Sequence, residues 1–321
     1  MFWKKSATPL TPEIRDRALG SFIGLAVGDA LGSTLEFCTR DSIPLHTEMI
    51  GGGHHRLKPG QWTDDTSMAI CLARSLASNP GLDPSDLMTR FAKWRDEGEE
   101  SCTGRSFDIG RTTSASISSF LNDGDPIAGL ISADTAGNGS IMRLAPAVLR
   151  HIGDENGAAA AARLQSATTH GAPACIEACD LLARILHRAI TGKPKSLAEI
   201  SFERIVSKHP DLKAIASKAW RLKSRDAIAS SGYVASTLEA ALWAVDTTTT
   251  FEDALVLAVN LGNDADTVGA VTGQIAGAVY GLSNIPERWL EPLAWRAQLI
   301  DLGNQVIEIA ASTPRFKPFW A

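Results

Sequence analysis

Glycine recurs every four residues in two segments of the chain, as Gly20, Gly24 and Gly28 near the start and as Gly269, Gly273, Gly277 and Gly281 near the end. Residues four apart share one face of an α-helix, so each segment, if helical, carries a groove without side chains. Glycine inside a helix costs about 0.5–1 kcal/mol relative to alanine. Something must offset that cost, and close backbone approach to another helix is the usual reason. The spacing therefore predicts a tightly packed helix pair with helix ends held rigidly near each other.

The rest of the chain is also helical in pattern. It has only two tyrosines, abundant alanine, and apolar residues mostly at helical spacing. Thr11-Pro12 is a helix start, a capping hydroxyl followed by proline at the first helical position. Beyond "EIRDRALGSFIGLAVGDAL", helices are predicted at 65–78, 84–96, 110–121, 126–132, 140–151, 156–168, 171–191, 197–207, 211–221, 233–246, 251–261, 267–281 and 286–303. Gly/Pro punctuation such as "NPGLDP" falls between them. The expectation is an all-α globule of many short helices. No repeat or low-complexity linker divides it, so residues 1–321 are read as one domain with 1–10 a flexible N-terminal extension.

Net charge and composition narrow the partners. A formal charge of −5 and the lack of a basic stripe with interleaved aromatics argue against nucleic acid. The five cysteines are scattered, with no CxxC pair, which fits a reducing compartment better than zinc or disulfides. "MFWKKSATPL" lacks the apolar core of a secretory signal. The run Thr267–Ser283 is interrupted by Gln274 and four glycines, so it does not read as a membrane span. A cytoplasmic protein without a membrane partner is expected.

Two acidic clusters carry the chemistry. "GQWTDDTSMAI" (60–70) sets Asp64 and Asp65 between hydroxyl residues at a helix start. "NLGNDADTVGA" (260–270) sets Asp264 and Asp266 after the turn-forming Gly262-Asn263 pair, with Thr267 opening the second glycine-striped helix. Each cluster alone reads as helix caps and first-turn acids stabilised by the helix dipole. Two such clusters, with no nearby His or Cys, also read as a hard, oxygen-only ligand set. That set suits Mg²⁺ or Mn²⁺, and Ca²⁺ less well. "DADTV" matches the nucleophile motif of haloacid-dehalogenase-like phosphatases too, but the strand before it and the long α/β body after it are missing.

Four segments together resemble the ADP-ribosylglycohydrolase family: "GLAVGDALGSTLEF" (24–37), "WTDDTSMA" (62–69), "AGNGSIMRLAP" (136–146) and "LGNDADTVGAVTGQIAGAVYG" (261–281). "FDIGRTT" (107–113) and "SGYVASTLEAALW" (231–243) are similar as well, in the family's order. The resemblance implies a compact all-α orthogonal bundle around a dinuclear metal centre. It implies Thr63, Asp64, Asp65, Asp264, Asp266 and Thr267 as ligands to two Mg²⁺ or Mn²⁺ ions. Glu36 becomes the mobile acid, catalytic together with Asp65 and Asp264. The turn Gly137-Asn138-Gly139, with Ser140 and Arg143, becomes the place for the substrate's diphosphate, since free N–H groups ahead of a helix attract anions, and Arg143 could also support the loop or a neighbouring acid.

His170 aligns with a histidine bordering the diphosphate or ribose, although a lone histidine between helices is otherwise structural. Tyr233 resembles a position on the adenosine side, where its ring could stack on adenine or simply belong to the core. Asp29 and Asp108 read as buried acids that cap or brace neighbouring helices, and His54-His55 as a flexible loop at the rim. Some relatives carry an acid where this chain has Thr135, with Asp134 one step earlier. The implied reaction is hydrolytic release of ADP-ribose from a modified side chain, most often arginine. Serine-linked derivatives, or an inactive binding relative on the same fold, are the alternatives.

Overall fold

The computed structural model describes residues 10–312 except 80 and 204; most of the expected N-terminal extension lies outside that range. The described residues form thirteen α-helices and five short 3₁₀ turns, with no strand and only three isolated bridges. α1 (Pro12–Gly32) and α11 (Ala265–Tyr280) form the centre. They are buried on every side from Ala18 to Gly32 and from Ala265 to Val279. Central helices of this kind need no polar face.

The two glycine stripes meet each other. A Cβ on Gly20, Gly24 or Gly28 would overlap the carbonyl oxygen of Gly277, Gly273 or Gly269 respectively, and the reverse substitutions would clash the same way. The numbering falls on one helix as it rises on the other, so the pair is antiparallel. Gly32 against Ala265 extends the seam by a turn that the spacing alone did not reveal. Gly281 leaves the stripe and ends α11 as its C-cap at φ 88°. The antiparallel register sets the C-terminal end of α1 beside the N-terminal end of α11.

Around this pair pack α2 (Asp64–Ser78), α3 (Pro84–Glu97), α4 (Arg111–Asp123), α5 (Ala145–Arg150), α6 (Glu155–Thr169), α7 (Pro173–Gly192), α8 (Pro210–Ala216), α9 (Val234–Thr247), α10 (Phe251–Val259), α12 (Glu287–Leu290) and α13 (Arg296–Ser312). No helix among the described residues is long and apolar enough to cross a membrane.

Five expected helices differ, among them 211–221, which ends at Ala216 and resumes only as the 3₁₀ turn Ala219–Leu222. Segment 126–132 is extended and bridges Leu130 to His170, with the Gly129 amide donating to the Ala167 carbonyl. Segment 197–207 keeps one 3₁₀ turn, Leu197–Glu199, before a loop that buries Phe202. The helix expected at 140–151 starts only at Ala145, after a tight turn. Segment 286–303 breaks around Pro292. Short apolar runs do not distinguish a helix from a packed loop, and tertiary hydrogen bonds decided these.

Candidate active site

Asp29, in the last turns of α1, organises the start of α2. Its buried carboxylate accepts from Thr63 N at 3.0 and 3.1 Å and from Thr63 Oγ1 at 3.0 Å. It also accepts from Thr66 N at 3.0 Å and Thr66 Oγ1 at 2.6 Å. Burial pushes this carboxyl up to about 6, against the lowering effect of those donors. Thr63 holds the N-cap position yet makes no capping bond with its own side chain. Asp29 thus caps α2 from another helix, so Asp64 and Asp65 are not needed as caps.

The start of α11 follows the same plan. Asp264 is its N-cap residue without a side-chain capping bond, and instead accepts from Asn138 Nδ2. Thr267 Oγ1 donates to Asp65 Oδ2 at 3.4 Å, which joins the two acidic pairs. Asp65 Oδ1 is buried without a hydrogen-bond partner, and Glu36 Oε2 is buried against His55 Nε2 without a well-aligned hydrogen bond. Burial, and then repulsion from neighbouring carboxylates, pushes Asp64, Asp65 and Asp266 well above the ordinary range. Oxygen donors, an orphaned buried carboxylate oxygen and mutual repulsion are what a hard divalent cation would relieve.

Glu36 lies in the turn after α1, 5% exposed. Its Oε2 is 3.1 Å from His55 Nε2, which is 3.3 Å from Asp108 Oδ2. Ligand atoms of these three residues lie within 4.8 Å of one another, a group that could itself hold a metal ion. Burial, followed by the nearby Asp108 and Asp264 carboxylates, pushes Glu36 up to about 9.

A cavity of about 600 Å³ opens over these acids. Glu36, Asp64, Asp108, Asp264, Asp266 and Thr267 line one wall, while Gly137–Gly139, His170 and Tyr233 line the other. Thr63 and Asp65 sit just behind the acidic wall, fully buried. His170 is neutral, since burial and the Arg143 charge push it down to about 3. Its Nδ1 pairs with Thr169 Oγ1 at 2.9 Å, and a Cβ on Gly139 would meet the imidazole at 2.7 Å. Tyr233 donates its hydroxyl to Asp211 Oδ2 at 2.7 Å.

Three expectations for this second wall need correction. Arg143 does not reach the cavity. It is fully buried, donates to Gln165 Oε1 (2.9 Å), the Gly139 carbonyl (3.0 Å), the Gln165 carbonyl (3.1 Å) and Thr169 Oγ1 (2.8 Å), and lies over the Phe91 ring. It braces the loop from behind. The Ser140 side chain is also buried, against Cys179 and Ser166. The amides of Gly137 and Asn138 donate to the carbonyls of Thr135 and Gly232, so those of Gly139 and Ser140 are the ones left for an anion.

Among the lining residues outside the expected set are two charged ones from a single segment, Asp108 and Arg111. Asp108, at φ 62°, lines the cavity beside His55. Arg111 opens α4 at the same cavity, behind Gly110, which offers no side-chain cap. Both stand in "FDIGRTT", so the segment was visible while its orientation was not.

The family model for ADP-ribosylglycohydrolase matches residues 10–315. An ADP-ribosylarginine hydrolase of Pseudomonas putida is 43% identical over 310 residues, covering 96% of this chain and 83% of its own length. The ADP-ribosyl-[dinitrogen reductase] glycohydrolase of Rhodospirillum rubrum is 38% identical over 291 residues, covering 89% of this chain and 93% of its own. A solved ADP-ribosylglycohydrolase-related protein complex superposes with a TM-score of 0.81 at 42% identity, covering 94% of this chain and 100% of the other. The antiparallel glycine seam and the paired acids at its end are therefore those of a family member: this chain belongs to the ADP-ribosylglycohydrolase family.

Proposed function

We propose that the protein hydrolyses the bond between the anomeric carbon of ADP-ribose and a guanidinium nitrogen of a modified arginine on a protein. Water adds to the carbon as the C–N bond breaks, releasing ADP-ribose and restoring arginine. The observation that carries this reading is the convergence of Asp64, Asp264, Asp266 and Glu36 on one cavity, with Asp65 buried just behind them. The named activities of the Pseudomonas and Rhodospirillum relatives support the arginine linkage.

Thr63, Asp64, Asp65, Asp264, Asp266 and Thr267 would hold two divalent cations, Mg²⁺ or Mn²⁺, which when bound neutralise these carboxylates and supply Lewis-acid chemistry at the sugar. Cleavage of a glycosidic bond develops oxocarbenium charge, and carboxylates lining the cavity stabilise it. Glu36, buried at the acidic wall with His55 Nε2 3.1 Å from its Oε2, passes the proton to the leaving nitrogen. The diphosphate rests against the amides of Gly139 and Ser140, with Arg111 and the start of α4 facing it. Tyr233, its hydroxyl tied to Asp211, offers its ring to the adenosine. The five cysteines are unpaired, which supports a reducing, cytoplasmic setting.

The test is release of ADP-ribose from an arginine-ADP-ribosylated protein with Mg²⁺, with Mn²⁺ and with EDTA, beside a serine-linked substrate. Metal-dependent release from the arginine linkage alone is expected. Release from serine alone overturns the linkage, and release undiminished by EDTA overturns the metal centre.

A further inference from the structure

Phe37 is a large apolar side chain, 64% exposed, on the rim of an acidic cavity. Its backbone sits at φ 61°, a left-handed conformation that a bulky residue seldom adopts and that the surroundings must enforce. The enforcement is visible. Phe37 N donates to the Asn263 carbonyl at 2.7 Å, and Asn263 N donates to the Cys38 carbonyl at 2.8 Å. The exit from α1 is thereby laced to the residue just before Asp264. Glycine would occupy this position without strain, and the core draws nothing from a ring that stands mostly in solvent. Exposure and backbone strain together point to a role outside folding.

The ring is held in place from one side. Phe37 meets His54 edge-to-face at 5.0 Å, His54 meets His55 at 4.9 Å, and His55 meets Phe107 at 5.0 Å. This row of rings runs from the rim to the carboxylates, since His55 Nε2 lies against both Glu36 and Asp108. An aromatic surface on the rim beside Glu36 and Asp108, two lining acids outside the proposed metal-ligand set, favours a flat cation. The aromatic face attracts the charge, and the carboxylates accept the N–H groups.

We propose that Phe37, buttressed by His54, is the acceptor subsite: it stacks on the guanidinium of the modified arginine and sets the preference for that linkage. This rests on the arginine reading given above. A guanidinium is a planar, weakly hydrated cation that stacks well on aromatic faces. A serine leaving group has neither the charge nor the plane, so the subsite discriminates between the two.

The test compares Phe37→Leu, Phe37→Trp and Phe37→Gly for kcat/KM on arginine-ADP-ribosylated protein, for ADP-ribose affinity by calorimetry, and for Tm. Phe37→Leu should lower kcat/KM about tenfold, the scale of one desolvated cation–π contact, and leave the ADP-ribose Kd within about twofold, because ADP-ribose lacks the guanidinium. Phe37→Trp should keep the activity. Phe37→Gly should lose activity like the leucine variant while its Tm rises, as the left-handed strain is relieved. A merely structural Phe37 would lower Tm and activity together. The subsite is overturned by a Phe37→Leu enzyme with wild-type kcat/KM, or by one whose ADP-ribose affinity falls by the same factor as its kcat/KM. A wild-type protein that binds ADP-ribose yet releases none from arginine overturns the function reading and the subsite with it, so the two failures are told apart by the wild-type control.

Discussion

Arg143 and Asp65 are both buried charges beside one cavity, yet their surroundings are built on opposite plans. Arg143 has its guanidinium enclosed by two carbonyls, an amide oxygen, a hydroxyl and an aromatic face. Asp65 keeps one oxygen with no partner and stands among other carboxylates. A buried charge that the protein satisfies itself is a brace, because breaking such a network is costly. A buried charge left unsatisfied destabilises the fold unless something from outside completes it. The difference separates the supporting wall from the working wall without reference to sequence motifs.

The sharpest way to break this distinction is to neutralise the working wall. Asp65→Asn or Asp264→Asn should lower activity on the order of a thousandfold or more, as for loss of a directly acting charged group. Circular dichroism should show the helical fold intact. In EDTA the Asp65→Asn protein should melt no lower than wild type, since one repelling carboxylate has gone. A variant that keeps full activity, or one that unfolds, would place Asp65 on the supporting side.

Arg143→Met probes the other wall, and here the effect should fall on stability. Gln165 Oε1, Thr169 Oγ1 and two carbonyls lose a charged donor in a dry interior, a loss of about 3 kcal/mol or more. Tm should drop, and ADP-ribose affinity should fall as the 137–143 loop loosens. Unchanged Tm with lost affinity would mean that the guanidinium reaches the ligand after all.

The glycine seam ranks next, because it determines whether the two acidic helix ends meet. Gly28→Ala drives a methyl group into the Gly269 carbonyl and should cost roughly 1–3 kcal/mol, the range for overpacking a tight contact. It should also weaken the Tm increase that Mg²⁺ or Mn²⁺ gives, since Asp29 and the α11 start would shift together. Gly192→Ala, at the end of α7 with open space around it, is the control and should leave Tm nearly unchanged. Equal effects at the two positions would remove the seam from the account of the site.

How much of this was legible beforehand depends on whether a feature is periodic or tertiary. The glycine stripes announced a close helix pair because helical spacing is a local property. The acidic pairs were visible because two like-charged neighbours at a helix start are unusual without a partner. Asp29 was legible as a buried acid that caps or braces a helix, but that its partner is the start of α2 was not, since the bond joins residues 34 apart. Which role Arg143 takes, at the anion or in support of the loop, was not readable for the same reason: an arginine after a Gly-Asn turn can face out or inward. Gln165, 22 residues on, decided for the interior. Gln274 looked like an interruption of an apolar run, yet it donates to the Ile141 and Met142 carbonyls at 3.1 and 2.6 Å and pins the loop to α11. The unexpected position of Asp108 likewise depends on a left-handed backbone that no local pattern signalled.

Tyr233 sharpens the comparison at the smallest scale, because it stands between the two plans. Its hydroxyl is satisfied by Asp211 like a supporting residue, while its ring lines the cavity like a working one. Tyr233→Phe removes one hydrogen bond at a half-buried position, worth up to about 1 kcal/mol, and keeps the face that would stack on adenosine. ADP-ribose affinity should therefore change by less than about threefold, whereas Tyr233→Ala should weaken it by tenfold or more, on the scale of a lost stacking contact. If phenylalanine weakens binding as much as alanine, the Asp211 bond orients the ring and the hydroxyl belongs to the working wall. If neither variant changes affinity, the ring is core, and the adenosine lies elsewhere along the cavity.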